Sequence, residues 1–181
     1  MKMKKFFNEI ILFNPPVFKD HRGHFYQSFD KSISDVVGEE FVQDNHSVSH
    51  KNVIRGMHYQ WDSPMGKLIR VVRGSVIDYF VDIRRDSSTY GEYDCVELNT
   101  TNNSIIWIPP GFAHGFASLE DNTTVVYRCT SYYNKNGESG INPFDKSLGI
   151  EWPFDTSEAI VSEKDRTSQL LREYSKDIKF N

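Results

Sequence analysis

The chain has 181 residues, long enough for one domain with its own hydrophobic core. With 38% hydrophobic and 25% charged residues it has the composition of a soluble globular protein, and a net charge of −4 argues against bulk nucleic-acid binding. No stretch approaches the ~20 apolar residues of a membrane span, and Cys95 and Cys129, without paired spacing, read as free thiols of a reducing, cytoplasmic compartment.

Met1–Phe7 begins like a signal peptide, but Asn8 and Glu9 interrupt the apolar run and no small-residue cleavage site follows. Glu9–Phe13 reads as a strand ended by Asn14-Pro15-Pro16. Val17–Asp20 lead to a turn at Arg22-Gly23, and His24–Phe29 reads as a strand. Asp30–Val37 is expected to be a short helix, capped by Asp30 or Ser32 and stopped by Gly38. Phe41–Ser49 is strand-like. Leu68–Val72 and Val76–Ile83 flank Arg73-Gly74-Ser75, which reads as a hairpin turn. In the second arm Ile77, Tyr79, Val81 and Ile83 share one face, and Asp78, Phe80 and Asp82 the other.

After a loop at Asp86–Thr89, four more strands are expected: Tyr93–Leu98, Ser104–Ile108, Gly115–Leu119 and Thr123–Tyr132. Thr130–Asn142 turns polar, and Asp145–Pro153 reads as a closing loop. Ser162–Lys176 reads as one amphipathic helix carrying Leu170, Leu171 and Tyr174. Short strands with turn signals every ~8–12 residues point to an all-β sandwich or barrel in a single domain over 1–181, with its core at about 17–153. Aromatic residues make up 14% of the chain, with 13 Phe and 9 Tyr, which suits strands and a stacking pocket.

The chemistry concentrates in Arg55-Gly56-Met57-His58-Tyr59-Gln60, followed nine residues after His58 by Lys67. His58 can hold or release a proton near neutral pH. Lys67 can stabilise a developing negative charge, and the planar fork of Arg55 suits a phosphate. Arg22, Arg70 and Arg73 lie close enough in sequence to share a local basic pocket.

Pro109-Pro110-Gly111-Phe112-Ala113-His114 is the P-x-G-x-x-H element of cupin barrels, and Arg55–Gln60 occupies the place of the first cupin element. Together with Gln43-Asp44-Asn45-His46-Ser47, Asp82-Ile83-Arg84, Trp107-Ile108-Pro109 and Gly149-Ile150-Glu151-Trp152-Pro153, the chain resembles the dTDP-4-dehydrorhamnose 3,5-epimerase family from about Val17 to Lys176. The resemblance implies a double-stranded β-helix (a jelly roll, cupin-like) with short helices and a C-terminal helix, working as a homodimer. It implies a nucleotide-linked 4-keto-6-deoxyhexose as substrate, epimerised beside the ketone without a cofactor.

By the same resemblance His58 is the base, and Lys67 faces the enolate oxygen. Asp165 pairs with the histidine, and Tyr127 returns a proton on the opposite face. Arg55 clamps the diphosphate, with Arg22 reaching in from the partner subunit. His114 binds or orients, and Gln43 and Asn45 contact nucleotide or phosphate. Other roles stand beside these. Lys67 otherwise reads as a surface lysine, although Gly66 before it and the Leu68–Val72 strand after it suit an inward position, and Tyr127 otherwise reads as a strand aromatic. Gln43 and Asn45 also read as satisfied strand polar residues. Asp165 has capping-box spacing from Ser162, so it also suits a helix start.

Gln27 stands where the family often has glutamate, and Pro143-Phe144 replaces a tryptophan-asparagine pair. Both positions bear on the nucleotide, and Phe144 can itself stack a base. Three other assignments stay open. A metal cupin needs about three imidazoles and a carboxylate, but no second histidine follows His58 by two residues and Lys67 stands near the acid's place, so no metal site is expected. A non-catalytic sugar-nucleotide-binding cupin would need the pocket without the acid and base. A single-centre epimerase, on a dTDP-, CDP- or GDP-ketosugar, would differ in the aim of Tyr127.

Overall fold

The computed structural model describes residues 1–181. In chain order the first strands are β1 (Lys2–Phe6), β2 (Ile10–Asn14), β3 (Phe18–Asp20) and β4 (Gly23–Phe25), then the helix α1 (Lys31–Val37). Next come β5 (Gln43–Ser49), β6 (Ile54–Gln60), β7 (Lys67–Arg73), β8 (Ser75–Asp82), β9 (Tyr93–Asn99) and β10 (Ile105–Ile108). The chain closes with β11 (Phe112–Ser118), β12 (Thr123–Cys129), β13 (Glu138–Gly140) and the single-turn helices α2 (Glu163–Arg166) and α3 (Leu171–Tyr174). One six-stranded sheet runs β1-β2-β10-β7-β12-β5 and one five-stranded sheet runs β13-β6-β11-β8-β9. The strand pairs within both sheets are antiparallel. This is an all-β sandwich, as the short strands suggested, with the jelly-roll form that the family resemblance implied.

Strand alternation builds three apolar layers. Ile69, Val71, Phe80, Ile106, Phe112, Phe116 and Val125 meet between the sheets. The outer face of the six-stranded sheet buries Leu68, Ile105 and Trp107 under Ile33 of α1. That helix is capped as expected, with the Asp30 side chain accepting from the Ser32 N–H and Gly38 left-handed at φ 74°. The outer face of the five-stranded sheet buries Met57, Tyr59, Tyr79, Val81 and Ile83 under Ile141, Leu148, Ala159 and Tyr174. The two faces expected for Val76–Ile83 are therefore the faces found.

Four expectations need correction. The arms beside Gly74 do not pair: β7 bonds β10 and β12, whereas β8 bonds β11 and β9. Gly74 turns the chain from one sheet into the other at φ 75°, so close to β12 that a Cβ would lie 2.4 Å from Thr123 Oγ1. The core also starts before residue 17, because Phe6, Ile10, Ile11, Leu12 and Phe13 are buried. The opening lysines belong to an edge strand, where charge guards against stray pairing. The strand expected at His24–Phe29 is limited to Gly23–Phe25, in an exposed hairpin with Phe18–Asp20.

The single helix expected over 162–176 is two separate turns. Between them Gln169 is drawn out to bridge Ile141, accepts from the Asn142 N–H at 2.8 Å, and donates through its side chain to the Tyr59 hydroxyl. Tertiary bonding outweighs helical propensity there. No helix is long and apolar enough to cross a membrane.

Candidate active site

The site forms where inward-facing polar residues replace the apolar filling between the sheets. In β6, Met57 and Tyr59 enter the outer cluster, so Gly56, His58 and Gln60 face inward. In β7, Leu68 packs outward and Ile69 inward, which turns Lys67 inward as well. Beside β7 in the same sheet, β12 offers Tyr127 and Cys129, register partners of Ile69 and Lys67. At the edge β5 offers Asn45 and Gln43, opposite those same two residues. Gln43, Asn45, His58, Lys67, Tyr127 and Glu138 line a cavity of about 430 Å³. Glycine permits the close approach of β6 and β11 behind it: a Cβ on Gly56 would lie 2.5 Å from Gly115 Cα.

His58 Nε2 lies 2.7 Å from Asp165 Oδ1, and the Gly56 N–H donates to Asp165 Oδ2 at 3.2 Å. Asp165 also starts α2, but only through its backbone, which donates to Ser162 Oγ at 3.1 Å. The carboxylate is free of capping duty and turns to His58. Burial raises the Asp165 pKa, while the hydrogen bond and charge of His58 outweigh it and hold the carboxyl below its ordinary range. A carboxylate accepts, so Nε2 is the protonated nitrogen and Nδ1 carries the lone pair.

Burial lowers the Lys67 ammonium, against the opposing pull of Cys129, Glu138 and Asp78. Burial raises the Tyr127 phenol, so it holds its proton at neutral pH. Its ring centroid is 6.0 Å from Lys67 Nζ. Asn45 donates to Cys129 Sγ at 3.5 Å and accepts from Gln43 at 3.0 Å, so both amides are oriented.

His114 is the cross-strand partner of His58, set deeper, and its Nε2 lies 2.9 Å from Asp78 Oδ2. Arg55 is exposed and is not among the residues that line the cavity; it donates to Ser49 Oγ at 3.0 Å and to the Val48 carbonyl at 3.2 Å. Gln60 serves the walls: it donates to the Ser63 and Tyr132 carbonyls and accepts from the Asn134 N–H.

Three expected contact residues lie elsewhere in the chain. Arg22 is on the exposed hairpin, paired with Asp20 at 2.6 Å. Gln27, also exposed, follows it. Phe144 lines a separate cavity of about 520 Å³ with Trp152 and Arg166, whose guanidinium lies 5.7 Å from its ring. Conversely, Glu138 and Tyr133 line the site without having been singled out. Tyr133 donates to Glu138 at 3.0 Å, and Lys164 of α2 forms an ion pair with the same carboxylate. They fall in polar, non-periodic sequence that carries no signal of its own. Asp78 was readable as sharing a face with Phe80, though neither the inward direction of that face nor its partner was.

A sequence model of the family described as dTDP-4-dehydrorhamnose 3,5-epimerase matches residues 4–173. The dTDP-4-dehydrorhamnose 3,5-epimerase of Shigella flexneri is 46% identical over 165 residues, 89% of this chain and 90% of its own. That of Methanothermobacter thermautotrophicus is 45% identical over 166 residues, 90% of each chain. The crystal structure of dTDP-6-deoxy-D-glucose-3,5-epimerase from Legionella pneumophila Philadelphia 1, in complex with dTDP-4-keto-L-rhamnose, is 41% identical and superposes with a TM-score of 0.87, covering 91% of this chain and 89% of that one. Fold, sequence and the placement of the motif residues converge, and the chain belongs to the dTDP-4-dehydrorhamnose 3,5-epimerase family.

Proposed function

We infer that the protein epimerises a dTDP-linked 4-keto-6-deoxyhexose at C3 and C5, with His58 as base and Tyr127 as the acid of the opposite face. One observation carries the assignment: His58, backed by Asp165 of α2, and Tyr127 stand on different sheets and line one cavity. A sugar held between them meets a base on one side and a proton donor on the other. His58 Nδ1 takes the proton from the carbon beside the C4 ketone, and the C–H electron pair moves to the ketone oxygen. Lys67 stabilises that enolate oxygen. Tyr127 returns a proton to the same carbon from the other face, and both side chains recover their states by exchange with solvent. The step is redox-neutral and its protons balance on these groups, so the assignment invokes neither cofactor nor metal.

Accessibility supports His58 over His114 as the base. The His58 side chain is 26% exposed against 11% for His114, and burial lowers the basicity of His114 despite Asp78. Asn45, Gln43 and Arg55 would hold the nucleotide diphosphate at the rim. The protein would act as a homodimer of single-domain chains. The β3–β4 hairpin belongs to neither sheet, leaves Phe18 and Phe25 more than 60% exposed at 64% and 69%, and would bring Arg22 and Gln27 to the partner's nucleotide.

The test is deuterium wash-in from D₂O into dTDP-4-keto-6-deoxyglucose, read by NMR. Deuterium at C3 and C5 is expected. Label at C3 alone would make this a single-centre epimerase, and no label with the dTDP-, CDP- and GDP-linked ketosugars would leave a binding protein.

A further inference from the structure

Asp78 is a buried carboxylate that the proposed chemistry leaves unused. It lies on β8, fully inaccessible, two residues before Phe80, which stands directly opposite His114 in the β8–β11 register. Residues two apart on a strand share a face, so Asp78 and His114 are diagonal neighbours on the inner side of the sheet. Asp78 Oδ2 meets His114 Nε2 at 2.9 Å, and no protein donor reaches Oδ1. Around the pair lie apolar groups, Phe80 and Phe116, with Lys67 and His58 as the charged and titratable groups that influence His114. A carboxylate with one unserved oxygen among phenylalanines is a costly choice where an apolar residue would fit. Packing alone does not account for it.

The interior therefore contains two histidine–carboxylate pairs on cross-strand neighbours, His58–Asp165 and His114–Asp78, each joined through Nε2. We propose that Asp78 is a positioning residue: it fixes His114 in the Nε2–H tautomer, so that Nδ1 is held as a hydrogen-bond acceptor for a sugar hydroxyl of the substrate. Without the carboxylate the ring can exchange which nitrogen is protonated, and a donor at Nδ1 opposes a hydroxyl donor. This role rests on the epimerase assignment for its consequence in turnover, but the tautomer itself does not.

Two measurements separate them. Nitrogen-15 NMR of the ligand-free protein reads which imidazole nitrogen carries the proton, with no substrate present. The His114 signals should report a single neutral Nε2–H form from about pH 6 to 8, around the ordinary histidine pKa. A mixture of tautomers, or an Nδ1–H form, overturns the proposal whether or not the protein is an epimerase.

The second measurement is a kinetic cycle with Asp78→Asn, His114→Gln and the double variant. Asp78→Asn should lower kcat/KM at least ~10-fold, the order of losing one hydrogen bond to a charged group. In the His114→Gln background the same change should cost less than ~2-fold, because Asp78 acts through His114. An equal loss in both backgrounds assigns Asp78 to packing and refutes the positioning role. If Asp78→Asn does not fold, the NMR result on the unaltered protein decides. An unaltered protein that shows the single tautomer but no wash-in would sink the epimerase assignment and keep the tautomer.

Discussion

Replacing Asp165 by Asn tests the catalytic pair with little change of shape. Asp165 is 4% exposed and accepts from two donors, His58 Nε2 at 2.7 Å and the Gly56 N–H at 3.2 Å. An amide cannot serve both. With its NH₂ toward His58 it donates to Nε2 and drives the ring proton to Nδ1, the nitrogen that must take the substrate proton. With its NH₂ toward Gly56 it sets two donors against each other. Misplacing the base proton should lower exchange by ~10²–10⁴-fold, the usual worth of a general base. Losing one hydrogen bond to a charged group costs about 1.5–3 kcal/mol, or ~3–12 °C in Tm for a domain of this size.

The pH dependence has a definite sign. The folded-state pKa of Asp165 is lowered, so its contribution to stability is present above the ordinary aspartate value of ~3.9 and is lost as pH falls through the folded value. The gap in Tm between the two proteins should therefore close in acid. Wash-in by NMR and thermal unfolding from about pH 3 to 7, spanning that value, are the assays. An Asn variant within ~3-fold of the parent rate, where a loss of ~10² or more is due, would show that His58 does not depend on this carboxylate.

Three more substitutions probe the rest of the site. Tyr127→Phe should cut formation of inverted product more than wash-in, since His58 can still remove and return the proton on its own face; an equal fall in both would remove the phenol from the second-face role. Lys67→Gln should lower exchange by ~10²–10³-fold. Because burial lowers the Lys67 pKa, the parent's alkaline limb should fall below the ~10.4 of a free lysine and vanish in the variant, and a limb unchanged by the substitution would assign it to another group. Gly115→Ala would put a Cβ 2.6 Å from the Arg55 carbonyl oxygen, so overpacking of ~1–3 kcal/mol should appear as a lower Tm. An unchanged Tm would mean that β6 and β11 do not approach so closely.

What could be read in the sequence divides along the range of the interactions. The period of two in β8 put Asp78 and Phe80 on one face and Tyr79 and Val81 on the other, and they lie there, because facing is decided by each residue's immediate neighbours. The Asp30 and Gly38 caps of α1 were readable for the same reason. The pattern on either side of Gly74 fits a hairpin and a sheet-changing corner equally well. Only the bonding of β7 to β10 and β12 and of β8 to β9 and β11 separates the two, and no local signal holds that information. Leu171 and Tyr174 of the expected apolar stripe pack on the outer cluster, but Leu170 does not join them and Gln169 is spent on Tyr59, so the helix breaks.

Catalytic roles belong to the long-range class. His58 meets a carboxylate 107 positions away and His114 one 36 positions away. Asp165 satisfies a helix start with its backbone and a histidine with its side chain, so its two readings never excluded each other. Resemblance to a family supplied the first pair, because the motif residues carried it. The second pair was readable only once strand register placed Asp78 on the diagonal from His114. Residue types announced which groups can do the chemistry, and the pairing of distant strands decides which nitrogen of each imidazole is left to do it.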